Sequence, residues 1–256
     1  MKVPRKILRR MGFARDQQGI MNRYLREGPG WKEHLEKSRA FIHASFAGRS
    51  LDSVAVLGSG WLLDVPLEAL SARFSRIFLV DLLHPPQVIK KVGKLPNVEL
   101  LEADLTGGAV GQLWEQAGKR GQEGLEQLAE NLHLEHPLPG LRPDAVISVN
   151  LLTQLDIIPL DYLKKKGLPD GNAMKRLRET IQAFHLSWIT AVPGCLITDT
   201  REVITDRKGR ETRRELLFAP LPGGIREAGW EWAFDTLGTY HPGTETRMEV
   251  KAVEWG

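Results

Sequence analysis

The chain has 256 residues, 42% of them hydrophobic and 26% charged, with a formal net charge of +3. That length can bury a substantial core, as one large α/β domain or as one domain with appendages. The single cysteine, Cys195, excludes an intramolecular disulfide and a multi-cysteine metal site.

No apolar run approaches the ~18 residues of a membrane span. The leading MKVPRKILRR lacks the apolar stretch and cleavage site of a secretory signal, so a cytoplasmic protein is expected. Residues 1–40 hold eleven Lys/Arg against four acids, which leaves the remainder slightly acidic. A basic leading arm allows a nucleic-acid partner through counterion release, or is simply a solvated tail.

In chain order, the arm ends in the helical stretch RDQQGIMNRYLREG. The Gly28-Pro29-Gly30 triplet then reads as a break before a second helix, WKEHLEKSRAFIHASF. There Trp31, Leu35, Ile42 and Phe46 share one face, with the small Ser38 in the gap. From Ser53 onward, short apolar runs alternate with helical patterns. The expected strands are SVAVLG (53–58), RIFLVD (76–81), NVELLEAD (97–104), DAVISVN (144–150) and GCLITDT (194–200). Helices are expected over about 65–73, 86–93, 110–132 and 172–192, with GKRGQEG weakening the third, Asn172 available to cap the fourth and Pro193 to stop it. Cys195 falls inside an apolar strand, where a buried structural thiol is expected. A charged stretch, REVITDRKGRETRREL, follows, and WEWAFDTLGTY (230–240) and TRMEVKAVEW (246–255) flank the turn HPGTE as an antiparallel hairpin at the sheet edge. This rhythm predicts a Rossmann-like, doubly wound α/β sheet, mainly parallel, with a C-terminal antiparallel hairpin and N-terminal helices.

In such a sheet ligands bind beyond the carboxyl ends of the strands. Those ends carry Gly58, Ser59 and Gly60 after the first strand, Asp81 after the second, Asp104 after the third and Asn150 after the fourth. Glycines let the backbone approach a ligand closely, and an acid some 20 residues later suits a pair of ribose hydroxyls.

The series LGSG, FLVD, EADL and DAVISVN, with the closing hairpin, resembles the class I S-adenosylmethionine-dependent methyltransferases over roughly residues 50–256. The resemblance implies S-adenosyl-L-methionine as cofactor. Gly58, Ser59 and Gly60 would line its methionyl part, Asp81 with Leu82 its ribose, and Asp104 with Leu105 its adenine. Asn150 and Leu151 would face the reacting methyl group. It also implies residues 1–50 as a helical arm or lid on a cofactor-binding domain of residues 51–256, in which GKRGQEG and the turn-rich LEHPLPGLRP read as parts of an enlarged connection at 107–143.

The chain departs from the family pattern at Val56, where an acid is usual, and at Leu62, where a small residue is common. Trp61-Leu62-Leu63 lengthens the loop, and the helix is expected to start near Pro66. Asp64 then reads as a residue capping that helix, or as one reaching the cofactor's ammonium in place of the missing acid. After the fourth strand the chain reads Asn150-Leu151-Leu152-Thr153-Gln154, which lacks the Asn/Asp-Pro-Pro-aromatic run of many nucleobase and amide N-methyltransferases. Tyr24, Trp31, His34 and Gln154 are the candidates for lining the acceptor pocket. His84 reads as a cofactor-edge residue and His185 as a structural one. No catalytic residue is assigned, because methyl transfer can proceed by positioning alone.

No His-Glu-x-x-His pair, cysteine cluster or acidic calcium loop argues for a metal, and Gly-x-Ser-x-Gly is absent. Two other readings suit the same residues: an NAD-dependent oxidoreductase, and a non-catalytic cofactor-binding regulator. The methyl acceptor is open between a small molecule, RNA and protein.

Overall fold

A strand covered on both faces must be apolar at consecutive positions, and the runs SVAVL, RIFLV and AVISV meet that requirement. In the computed structural model, which describes residues 2–119 and 121–256, they form β1 (Ser53–Leu57), β2 (Arg76–Asp81) and β4 (Ala145–Val149). With β3 (Val98–Glu102) and β5 (Gly194–Thr205) they build a parallel sheet in the order β3-β2-β1-β4-β5. Beyond β5 lie β8 (Glu245–Trp255) and then β7 (Arg226–Asp235), each antiparallel to its neighbour. The terminal hairpin therefore closes the sheet, with β8 inside it and β7 at the edge. Strand 230–240 is shifted from its expected bounds: it starts at Arg226, and residues 236–240 belong to the connection.

Successive side chains of a strand point to opposite faces, and β1 divides accordingly. Ala55 and Leu57 join one core with α5 (Ala109–Lys119), α6 (Gln122–Asn131), α7 (Ile157–Lys165) and α8 (Asn172–Ile189). Val54 and Val56 join the other, with α2 (Phe13–Ala44), α3 (Leu67–Arg73) and α4 (Pro86–Val92). Cys195 is buried in the second core, where burial pushes its thiol up to about 12.

The expected break at Gly28-Pro29-Gly30 is not there: after the short α1 (Arg5–Met11), α2 runs for 32 residues straight through the triplet. Pro29 removes one helical hydrogen bond, and tertiary contacts on either side offset the loss. The buried Glu27 carboxylate accepts from the Thr236 backbone and hydroxyl at 2.9 and 2.7 Å, and Trp31 Nε1 donates to Phe234 O at 2.9 Å. Gly30 permits the approach, since a Cβ there would lie 2.9 Å from Ala233 O. Trp31, Leu35, Ser38 and Ile42 of the expected face are buried; Phe46 is buried too, but it lies beyond the end of α2, at φ +66°.

The expected single helix over 110–132 is two, α5 and α6, separated at Gly121, whose φ is +132°. α8 ends at Ile189 rather than Val192, and Gly171 occupies its cap position without a side-chain bond from Asn172. The charged stretch after Thr200 is ordered: β5 continues to Thr205 and turns into β6 (Glu211–Glu215), an exposed strand paired with β5. Among the described residues no helix is long and apolar enough to cross a membrane.

Candidate functional site

At the carboxyl end of β1 the chain turns through Gly58 and Gly60, at φ +73° and +45°. A Cβ on Gly58 would lie 2.8 Å from the Leu151 Cβ, so this position needs glycine for both conformation and space. Asp81 secures the turn from the end of β2: its Oδ2 accepts from Gly60 N at 2.8 Å and its Oδ1 from Leu82 N at 2.7 Å. The Leu83 N–H is a further, weaker backbone donor to the same carboxylate. At the end of β3, the buried Asp104 accepts from both the backbone N and the hydroxyl of Thr106, at 3.0 and 2.5 Å. Burial holds both carboxyls above the ordinary carboxylate range, and these hydrogen bonds pull them back.

The three strand ends open onto one cavity of about 480 Å³. Every residue assigned from the resemblance lines it: Gly58, Ser59, Gly60, Asp81, Leu82, Asp104, Leu105, Asn150 and Leu151. Ser59 is buried, and its hydroxyl has no hydrogen-bond partner among the described residues. α2 roofs the glycine turn, with Gln17 Nε2 donating to Leu83 O at 2.9 Å and Trp61 Nε1 donating to Gln17 O at 2.7 Å.

Between Gly60 and the start of α3 the chain carries Trp61 through Pro66 without helix. Leu62 sits at φ +59°, a conformation costly for a leucine and one that clusters at functional sites. Asp64 caps nothing: α3 begins three residues later, and the Asp64 Oδ2 lies 2.6 Å from the side-chain amide of Asn150. Asn150 is itself at φ +47°, which asparagine tolerates better than most residues. Its amide also lies 3.0 Å from His34 Nε2, and Trp230 Nε1 donates to His34 Nδ1 at 3.0 Å. Burial holds the His34 ring down to about 3, so it is neutral.

Of the residues expected at the acceptor end, Trp31, His34 and Gln154 line the cavity. Tyr24 is not a lining residue; it packs on Trp31, with ring centroids 6.0 Å apart. The wall there is aromatic and draws on β7. His34 stacks on Trp232 at 3.9 Å, Trp31 stacks on Phe234 at 5.7 Å, and the Arg23 guanidinium covers Phe234 and Tyr240 at 4.6 and 4.5 Å. Facing it are Asp199, bonded by the Thr153 hydroxyl, and the buried Glu202, 3.0 Å from His241 Nε2. Asp156, which Arg178 approaches at 3.4 Å, has its carboxyl raised to about 6 by burial. His185 is structural as expected, buried in α8 3.0 Å from the Ser148 hydroxyl. His84 bonds the Leu101 carbonyl at 3.1 Å.

The sheet order β3-β2-β1-β4-β5-β8-β7, with β8 alone reversed along that path, differs from a dinucleotide-binding sheet by the antiparallel insertion before its last edge. That is the sheet order which the resemblance to the class I S-adenosylmethionine-dependent methyltransferases implies. No family model and no curated protein matches the chain. Solved structures similar to it include a Burkholderia thailandensis 1,6-didemethyltoxoflavin-N1-methyltransferase with bound 1,6-didemethyltoxoflavin and S-adenosylhomocysteine. The identity is 14% over 100% of this chain and 92% of that one, with a TM-score of 0.43. Another is described as a DhpI-SAM-HEP complex, at 13% identity over 94% and 97% of the two chains, with a TM-score of 0.39.

Proposed function

We propose that this protein is an S-adenosylmethionine-dependent methyltransferase acting on a small acceptor held between α2 and the segment after β4. The observation that carries the reading is the convergence of Gly58–Gly60, Asp81 and Asp104, from three successive strand ends, on one cavity of this fold.

The residues present fit the cofactor. The Asp81 carboxylate, an acceptor at the cavity, suits the ribose hydroxyls, Asp104 suits an adenine amino group, and the unpartnered Ser59 hydroxyl suits the polar methionyl end. An NAD site fits less well. Its pyrophosphate rests on a helix N-terminus directly after the glycines, whereas here α3 begins only at Leu67, after the Trp61–Pro66 detour.

When bound, S-adenosylmethionine supplies a methyl group activated on a sulfonium. The chain's contribution is to orient the acceptor and exclude water, and α2 does both by roofing the cavity. The aromatic wall of Trp31, Trp232 and Phe234 suits a flat acceptor, and Asp199 and Glu202 suit one carrying N–H or O–H donors. The roof that α2 places over the cavity argues against a polymer.

Incubation with methyl-labelled S-adenosylmethionine and cell extract, followed by fractionation, tests this. Label is expected in the acid-soluble small-molecule fraction. Label confined to RNA or protein would contradict the small-acceptor reading, and no transfer despite tight cofactor binding would favour a regulator.

A further inference from the structure

Counting hydrogens around Asn150 assigns a charge state to Asp64. The indole nitrogen of Trp230 can only donate, so His34 Nδ1 is an acceptor. The hydrogen of this neutral ring is then on Nε2, pointing at the Asn150 amide 3.0 Å away. With the amide nitrogen at that position, two N–H groups would face one another. The carbonyl oxygen of Asn150 must therefore be there. The same amide atom lies 2.6 Å from Asp64 Oδ2. Two oxygens that close require a hydrogen between them, and only the acid can carry it. The distance agrees, since it is ordinary for O–H···O and short for N–H···O. The other atom of the Asn150 amide, now its NH₂, is buried without a partner in a residue that lines the cavity.

We propose that Asp64 is a neutral acid in the ligand-free site, and that cofactor binding expels its proton so that the carboxylate balances the positive charge brought by the ligand. This coupling rests on the reading of the cavity as an S-adenosylmethionine site. An ionised Asp64 in the empty site would face the Asn150 carbonyl, and Asn150 cannot turn its NH₂ to it without meeting the His34 N–H. On binding, the ionised carboxylate has to turn from the Asn150 carbonyl to the ligand's cationic group, and its proton leaves to solvent. The groups around Asp64 supply little compensation: His34 of α2 and Trp230 of β7 are neutral, and Arg39 of α2 is exposed, with its guanidinium on the Leu63 carbonyl. Enclosure raises the Asp64 carboxyl, opposed by the hydrogen bond with Asn150 and, less, by Arg39.

Asp64→Asn puts an N–H donor where the acid's O–H stands, so it keeps the Asn150 orientation and removes the titration. A carboxyl raised in the folded state binds its proton more tightly there than in the unfolded chain. Its contribution to stability is lost as pH rises from the unfolded value through the folded one. Wild type is therefore expected to lose melting temperature relative to Asp64→Asn from mildly acidic to neutral pH. Parallel curves would overturn the neutral acid. Calorimetric titration in buffers of different ionisation heat reads the coupling. Wild type is expected to release up to about one proton per site and Asp64→Asn none. Release with both S-adenosylhomocysteine and S-adenosylmethionine assigns the balancing charge to the ammonium; release with S-adenosylmethionine alone assigns it to the sulfonium. Binding of both with no release, or equal release from the variant, overturns the coupling. Failure of both ligands to bind overturns the cofactor reading instead, and the melting series still decides the state of Asp64.

Discussion

Asp81→Asn is expected to weaken S-adenosylhomocysteine binding by roughly ten- to a hundredfold while the chain stays folded. A hydrogen bond to a charged group is worth about 1.5–3 kcal/mol, and each 1.4 kcal/mol is a factor of ten. The substitution acts twice. It removes charge from the position that accepts ribose hydroxyls in the proposed complex. It also disturbs the glycine turn, because the carboxylate takes Gly60 N–H on one oxygen and Leu82 N–H on the other. An amide has one oxygen, so one backbone N–H would then face an NH₂ group. Titration calorimetry with far-ultraviolet circular dichroism as the folding control checks it. An unchanged affinity would show that Asp81 does not face the ligand.

Gly58→Ala is expected to cost about 3 kcal/mol of stability and to abolish cofactor binding. Left-handed backbone at a residue with a side chain costs about 1–3 kcal/mol, and forcing a methyl group into filled space adds a similar amount. Both apply at Gly58, with φ at +73° and the Leu151 Cβ 2.8 Å from the new carbon. Gly60→Ala is the internal control. Its φ is also positive, at +45°, but the nearest atom to its Cβ would be 3.7 Å away, an ordinary contact. In a chain of this size 1 kcal/mol moves the melting temperature by roughly 2–4 °C. Gly58→Ala should therefore melt several degrees below Gly60→Ala, and equal melting temperatures would contradict the close packing of Leu151 on the turn.

β1, β2 and β4 were legible because a strand buried on both faces leaves an unbroken apolar run, and the residues at the strand ends then name the candidate site. Elements whose stability comes from elsewhere were not. β6 reads Glu-Thr-Arg-Arg-Glu and has no apolar face; its side chains form cross-strand ion pairs such as Arg201–Glu215 at 2.6 Å and Arg247–Glu211 at 2.6 Å. α7 carries Pro159, which looks like a breaker but stands in the first turn, where its missing N–H has no helical partner to lose. α2 crosses Gly-Pro-Gly because Glu27, Gly30 and Trp31 are docked on the end of β7, a contact spanning some two hundred positions.

The two ends of the site differ in the same way. Its glycine and carboxylate end follows from strand ends and could be numbered in advance. Its proposed acceptor end is assembled from α2, β5 and β7, and neither Trp232 nor Glu202 carries any local signal of a place in the cavity. Of the two readings of Asp64, the helix cap fails for a related reason: its partner, Asn150, lies 86 positions away. The detour from Trp61 to Pro66 was the one local clue, since it delays α3 and brings Asp64 to Asn150.

A crystal structure with S-adenosylhomocysteine tests the central claim most directly. The account predicts ribose hydroxyls on Asp81, the adenine beside Asp104 and the sulfur near Asn150, facing the aromatic wall of Trp31 and Trp232. Adenosine bound away from Asp81 and Asp104, or no density in the cavity at saturating ligand, would contradict it.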